Sequence, residues 1–450
     1  MYEYDVIFIG SGHSCNHAAT ALALAGKKVA FVEMDRIGGT CTNYGCDAKI
    51  LLDGPFEYLE GLERYKGLCV DEVGTIDWGR LMAYKKEKIG LFDPVLAGLF
   101  AQMGIAVIRA RGRLVDAHTV QAGEQQITAE YIVLGTGQRN ARLNIPGKEY
   151  LHGSRDFLDL DAMPEHLVCI GAGIISMEFA SMALKLGKRV TFIEFASRAL
   201  AAYPKQYVDK LVAKMQSEGA DFHFGEAVCA VEKTDAGYQV TTRSGLCVCG
   251  DYVLDATGRI ANVEDLGLEA LGIQTSRRGI VVDDHLRTSV PNIYASGDVV
   301  DKAIPRLTPT AEFESNYIAA QILGLDSAPI QYPAIPNLVF TLPRIAQVGV
   351  TVAEAEQTPE RYRIVPIPYG AQNEWIDNRE LDTDLTYIFD GEGYLVGAAI
   401  YGSEAGTWTD FLTLIINQRM TALDLRRMIF AFPTQTYMLV SGLIPLLKPF

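Results

Sequence analysis

The chain has 450 residues, 49% hydrophobic and 21% charged, with a formal net charge of −15 and a pI near 5.0. That length predicts about three domains with a substantial core, and the acidic balance argues against a nucleic-acid or anionic-membrane surface. Met1-Tyr2-Glu3-Tyr4-Asp5 carries acids where a leader would carry bases, and no apolar run reaches the roughly 20 residues of a spanning helix, so a cytoplasmic protein is expected. Eight cysteines, at positions 15, 41, 46, 69, 169, 229, 247 and 249, are too sparse for a disulfide scaffold. In a reducing compartment only a catalytic pair would call for explanation.

In chain order, Tyr4 to Ile9 reads as a buried strand that breaks into Gly10-Ser11-Gly12-His13-Ser14-Cys15 and then an Ala-rich helix through Ala25. A second strand, Lys28 to Val32, ends in Glu33, 23 residues after Gly10 and suitably placed for a ribose hydroxyl. His13 and His17 flank this turn and read as solvent or packing residues, and no metal site is expected. Next comes Gly38-Gly39-Thr40-Cys41-Thr42-Asn43-Tyr44-Gly45-Cys46. Its glycines allow tight turns and close approach to a flat cofactor, and the stretch from Ala48 reads as helix. A thiol at a helix start gains thiolate character, which the carboxylate of Asp47 opposes.

The nucleotide pattern then repeats. Leu167 to Ile170 runs into Gly171-Ala172-Gly173-Ile174-Ile175-Ser176, and Arg189 to Ile193 ends in Glu194, again 23 residues after the first glycine. Two such units imply two dinucleotides, with phosphates bound at each helix start. The third glycine is replaced by Cys15 in one copy and Ser176 in the other, both small. Glu194 favours NADH over NADPH, because a carboxylate accepts ribose hydroxyls and repels a 2′-phosphate. Further along, Cys247 and Cys249 flank Val248 in an expected hairpin and read as packing. Gly393 to Ile400 is a strand pattern, Thr407 to Ile416 a helix, and Thr421 the N-cap of a helix through Ile429. The apolar residues Leu439, Val440, Leu443, Ile444, Leu446 and Leu447 need a partner surface, and a two-fold homodimer is expected.

Four more segments make the pattern specific: Tyr131 to Gly137 followed by Ile145-Pro146-Gly147; Asp255-Ala256-Thr257-Gly258-Arg259; Asn292 to Asp298; and Ile335 to Gly349 with Phe340-Thr341-Leu342-Pro343. With the two nucleotide turns and the Cys41/Cys46 motif, the chain resembles the class I flavoprotein disulfide reductases, the group of dihydrolipoyl dehydrogenase, glutathione reductase and mercuric reductase. The resemblance implies an α/β fold with two Rossmann-like FAD and NAD(P) domains and a C-terminal α+β dimerisation domain. The FAD domain would be split, 1–150 and 285–330, around an NAD domain at 151–284, with the interface domain at 331–450.

It also implies roles. Gly10, Gly12, Glu33, Gly137 and Asp298 would hold FAD, Asp298 at its ribityl-phosphate part, while Gly171, Gly173 and Glu194 would hold NADH. Cys46 would be the thiol nearest the flavin, Cys41 the interchange thiol, and Lys49 the cation beside flavin N5, paired with Glu178. The family's C-terminal histidine and glutamate, which reach the other subunit's interchange thiol, fall on Phe432 and Tyr437 in Phe432-Pro433-Thr434-Gln435-Thr436-Tyr437. An acid–base group typically contributes a factor of about 100 to 10,000, so its loss matters. Three readings follow. Tyr437 or water could move the proton for a disulfide acceptor; the acceptor could instead be a quinone, oxygen or a metal ion; or the chain could be a non-turnover redox sensor, which a long partner-binding extension would favour and the sequence lacks.

Overall fold

In the computed structural model, which describes residues 2–450, the first strand, Tyr4–Ile9 (β1), is buried on both faces from Val6 onward. A strand of that kind requires parallel neighbours with helices above and below. Val29–Glu33 (β2) lies on one side and Gln125–Leu134 on the other, with Phe8 opposite both Phe31 and Val133. Ala106–Arg109 (β3) extends the sheet beyond β2, and Ile293–Ala295 extends it beyond residues 132–134. The chain therefore returns near residue 293 to a sheet begun at residue 4. His13–Leu24 (α1) packs against Thr308–Ile322, where the Ser315 hydroxyl accepts from the Ala18 N–H at 2.9 Å.

Between these visits a second parallel sheet forms in the order Ala220–Phe224, Arg189–Glu194, His166–Ile170, Tyr252–Asp255. A three-stranded antiparallel ribbon lies beside it, and in its last strand, Cys247–Gly250, Val248 faces in while Cys247 and Cys249 face solvent. That alternation is the ordinary consequence of the pleat.

The C-terminal part is a five-stranded antiparallel sheet ordered Asn337–Val339, Ile345–Gly349, Leu395–Tyr401, Asp384–Asp390, Tyr362–Ile367. Helix Ala405–Asn417 covers it through Trp408, Leu412 and Ile415, one apolar stripe at helical spacing. The strand expected from Gly393 begins at Leu395, because the Asp390 carboxylate accepts the N–H groups of Glu392 and Tyr394 and holds the turn. Thr421 does cap a helix, in a reciprocal box with Asp424, yet that helix stops at Arg426 rather than Ile429. Met428 and Ile429 are exposed, so no burial offsets the entropy of another turn.

Gly39–Tyr44 (α2) and Cys46–Glu63 (α3) follow β2, and Trp78–Gln102 (α4) precedes β3. Helix α3 is tied to the C-terminal sheet by Arg344, whose guanidinium meets Asp53 at 3.1 and 2.5 Å where both side chains are almost wholly buried. Breaking one partner leaves a buried uncompensated charge. Arg344→Met is expected to cost about 3–5 kcal/mol in urea unfolding, with Arg344→Met/Asp53→Leu recovering most of it. No helix among the described residues is long and apolar enough to cross a membrane.

Candidate active site

The segment carrying the two cysteines is seated directly on the first glycine turn. Gly38 bridges to Gly12, and a Cβ on Gly39, whose φ is +69°, would lie 2.9 Å from Gly12 Cα. Only glycine lets these backbones approach so closely. The Gly38 N–H donates to Ser11 Oγ at 3.2 Å, and Ser11 in turn donates its N–H and its hydroxyl to Glu33, at 2.9 and 2.8 Å. Glu33 also accepts from the Asp35 N–H at 2.8 Å. The second unit repeats the device: Glu194 accepts from Ala172 N–H at 2.5 Å and Ala196 N–H at 2.6 Å. Each strand-end carboxylate therefore fixes its own turn.

The substituted third glycines are accommodated in different ways. Cys15 is fully buried, and its sulfur occupies the space left by Gly135, where a Cβ would lie only 2.1 Å from it. Burial pushes the Cys15 thiol up to about 12, so it is inert packing. Ser176 is buried and donates its hydroxyl to the Gly173 carbonyl at 3.1 Å.

The N–H groups that open α1 at His13 and Ser14, and those of Ile174 and Ile175 in Ile174–Lys185, are first-turn donors with no intrahelical acceptor, which fits a dinucleotide pyrophosphate at each turn. Gly10 and Gly12 frame the first turn and Gly171 and Gly173 the second, while Gly137, at φ +65°, leaves the first sheet beside it. Asp298 sits in the one-turn helix Gly297–Val299. Ser296 Oγ donates to the Ser14 carbonyl at 2.7 Å and the Gly297 N–H to Glu314 at 2.6 Å, which ties that turn to the start of α1 and to helix Thr308–Ile322.

Cys41 lies within α2 and Cys46 opens α3, separated at their junction by Gly45. Cys46 is on the surface of the chain, its sulfur 3.5 Å from the Thr308 hydroxyl, a partner on a distant helix that the sequence does not reveal. The two thiols are strongly unequal. The Cys41 thiol holds Cys46 down to about 6, aided by Thr308 and the Lys49 ammonium and opposed by desolvation and Asp47. Cys41 is pushed far above the ordinary thiol range, first by its hydrogen bond to Cys46 and then by burial. Lys49 Nζ stands 2.9 Å from both Glu178 oxygens and 4.0 Å from the centre of the Phe340 ring, whose own N–H donates to Glu178 at 2.9 Å. Phe340, in Phe340-Thr341-Leu342-Pro343, is the third member of this cluster, a role its sequence position does not show.

Since thiolate is present above the folded pKa and lost below it, the thiolate–flavin absorbance of the two-electron-reduced protein is expected to fade as pH falls through about 6. Lys49→Met removes a nearby cation and should move that midpoint up by about one pH unit, read by spectrophotometric titration.

Tyr437 lies apart from this cluster, on helix Gln435–Leu443 of the C-terminal sheet region. Thr434 caps that helix by accepting the Tyr437 N–H at 3.1 Å, and the Phe432 and Tyr437 rings meet edge to face at 5.0 Å. Among the described residues no hydrogen bond within the chain joins Tyr437 to either cysteine. His13 and His17, expected to be ordinary flanking residues, converge instead on Glu312 of Thr308–Ile322, at 3.1 and 3.2 Å.

Two glycine turns at the carboxyl ends of interior parallel strands, with a thiol pair seated on the first, define a dinucleotide-dependent dithiol oxidoreductase. Residues 4–315 match the pyridine nucleotide-disulphide oxidoreductase family and 335–441 match its dimerisation domain, so the chain belongs to that family. It is 29% identical over 436 residues to glutathione reductase of Burkholderia cepacia, covering 96% of this chain and 97% of that one. Dihydrolipoyl dehydrogenase of Bacillus subtilis is 31% identical over 445 residues, covering 96% and 94%. Among solved structures, the HOCl-induced flavoprotein disulfide reductase RclA of Escherichia coli superposes with a TM-score of 0.88 at 25% identity, covering 99% of this chain and all of that one. The Cu(II) complex of RclA gives 0.89 at 25% identity with full coverage of both. The cofactors are accordingly FAD and a nicotinamide nucleotide, and the chemistry is flavin-dependent disulfide oxidoreduction.

Proposed function

We propose that this protein, as a homodimer, takes electrons from NADH and passes them through FAD and the Cys41–Cys46 pair to a disulfide acceptor. The observation that carries this is the placement of Cys41 and Cys46 at the α2–α3 junction on the first glycine turn, with Lys49 one turn along α3 and bonded to Glu178 at 2.9 Å. Gly10, Gly12, Glu33, Gly137 and Asp298 would hold FAD, which would supply two-electron transfer between NADH and the Cys41–Cys46 disulfide. Cleavage leaves Cys46 as thiolate, stabilised by Thr308 and Lys49, and Cys41 as thiol. Cys41 then loses its proton and attacks one sulfur of the substrate disulfide, expelling the other as a thiol once protonated. Cys46 attacks Cys41 in the mixed disulfide, which re-forms the internal disulfide and releases the second thiol.

NADH is favoured because Glu194 presents a carboxylate at the ribose position, while the nearby Arg198 is committed to the carbonyls of Ala201 and Tyr203. The apolar run expected to need a partner is instead covered within the chain, Leu439, Val440, Leu443 and Leu447 being buried against the C-terminal sheet and its helices. The homodimer reading therefore rests on the matched dimerisation domain and on exposed Leu423, Met428, Ile429 and Phe432.

A second reading, with a metal ion, quinone or oxygen as acceptor, is favoured by the aromatic pair Phe432 and Tyr437, since a phenyl ring moves no proton. The similar RclA has been solved as a Cu(II) complex, which makes Cu(II) a fitting acceptor to try. The deciding experiment reduces the protein anaerobically with NADH, then mixes it with lipoamide, glutathione disulfide, a quinone or Cu(II) and follows flavin reoxidation. Rapid reoxidation by one disulfide supports the first reading. Reoxidation only by quinone, oxygen or Cu(II) overturns it in favour of the second, and no reoxidation at all makes the chain a sensor. Faster reduction by NADPH than by NADH would overturn the nucleotide assignment.

A further inference from the structure

We propose that His13, His17 and Glu312 form a binding site for one divalent transition-metal cation, separate from the dithiol. His13 and His17 stand four residues apart on α1, and Glu312 approaches from the helix packed against it. Their donor atoms converge: His13 Nδ1 to Glu312 Oε1 is 3.1 Å, His17 Nε2 to the same oxygen 3.2 Å, and the two ring nitrogens 3.2 Å from each other.

Hydrogen bonding alone satisfies this triangle poorly. If both imidazoles donate to the carboxylate, two N–H groups face each other. If only one donates, the lone pair of the other nitrogen faces the lone pairs of the oxygen. Every tautomer leaves one edge of like groups opposed. A cation at the apex resolves all three edges at once. At metal–ligand bonds of about 2.1 Å, atoms 3.1–3.2 Å apart subtend about 95–100°, between octahedral and tetrahedral values. Two imidazoles and one carboxylate on a single face leave the remaining positions open, a donor set suited to Co, Ni, Cu or Zn rather than to Mg or Ca.

Two further observations favour a cation here. Asp47, the residue after Cys46, is half-buried, has no hydrogen-bond partner among the described residues and interacts electrostatically with His13, so a second carboxylate adds to the negative field. The His13 side chain is also turned along α1 towards His17, one turn further on, with ring centroids 5.4 Å apart, so its ring nitrogen faces Glu312 while the pyrophosphate would meet the backbone N–H groups of His13 and Ser14. The ion and FAD therefore do not compete for the same atoms.

The test uses the FAD-loaded protein with Cys41 and Cys46 oxidised to their disulfide, so that these two thiols cannot ligate. Equilibrium dialysis against Co2+ counts bound ions, and the visible spectrum reports the donors. The expected result is one Co2+ per chain with weak bands of nitrogen and oxygen ligation and no intense sulfur band. His17→Ala should weaken that binding at least tenfold with FAD content unchanged. Glu312→Gln, a substitution on a different helix, should do the same and serves if His17→Ala fails to fold. The proposal is overturned if no Co2+ binds, if the spectrum shows sulfur ligation only, or if the folded variant binds as many ions as tightly as the parent.

Discussion

Cys41→Ser is expected to lower disulfide reduction by about a thousandfold or more, because no covalent exchange can begin without the attacking sulfur. Hydride transfer from NADH should persist, since neither Glu194 nor the Lys49–Glu178 pair is touched. The spectrum of the resting variant separates this loss from misfolding. With no disulfide to form, Cys46 stays free, and the serine hydroxyl can still donate to it as the Cys41 thiol does. A thiolate–flavin band should then be visible before any NADH is added. Cys41→Ala removes the donor, so the band should weaken and its midpoint rise, because the hydrogen bond from Cys41 is the largest cause of the low Cys46 value. Cys46→Ser should show no band in any state. Stopped-flow reduction, steady-state turnover and pH titration on these three variants check the whole set. If Cys41→Ser retains turnover with quinone or Cu(II) at the parental rate, electrons leave from the flavin and the dithiol is not on the path.

What the sequence displayed were features whose cause lies within a few dozen residues. The buried run of β1, its turn and Glu33 form one local unit, as do Gly171 and Glu194, so both glycine turns could be found by spacing, whereas the bonds by which each carboxylate fixes its own turn were not part of that reading. The pairing of Lys49 with Glu178 came through the family resemblance, and the two side chains meet. Hidden instead were partners set by tertiary packing. Thr308 reaches Cys46 across 262 positions and Arg344 reaches Asp53 across 291, with no pattern in the chain to announce either. Cys15 looked like an imperfect glycine because the compensating absence of a side chain is at Gly135, on another strand end. His13 and His17 carried a visible four-residue spacing, yet without Glu312 beside them that spacing is only a helix face. The helix after Thr421 ends short of the expected Ile429 because its cap is a local feature of the sequence and the missing burial of Met428 and Ile429 is not.

Phe432→His/Tyr437→Glu is expected to raise disulfide turnover by about 100-fold at neutral pH. By the family resemblance Pro433 and Thr434 would keep the spacing of a C-terminal His-Pro-Thr motif, and Thr434 anchors the helix by accepting the Tyr437 N–H. The two rings already touch at 5.0 Å, so the substituted imidazole and carboxylate would start within reach of one another. In the proposed homodimer the pair would face the partner's interchange thiol, where the imidazole removes the Cys41 proton and later returns it to the departing thiol. The carboxylate fixes the tautomer and stabilises the imidazolium, so Phe432→His alone should gain less than the double variant. The gain should fall away below about pH 6.5 as the imidazole is protonated and can no longer act as base. Reduction of the flavin by NADH should not change, because both substitutions are remote from Glu194 and Lys49 in the chain's own contacts. The measurement is kcat/KM for lipoamide and glutathione disulfide against pH, beside the same quantity for a quinone. A gain confined to a disulfide identifies proton transfer as the step that the aromatic pair leaves slow. Equal rates for parent and double variant with every disulfide would mean that thiol exchange is not limited by a missing base, and would favour the reading in which electrons go to a metal ion, quinone or oxygen.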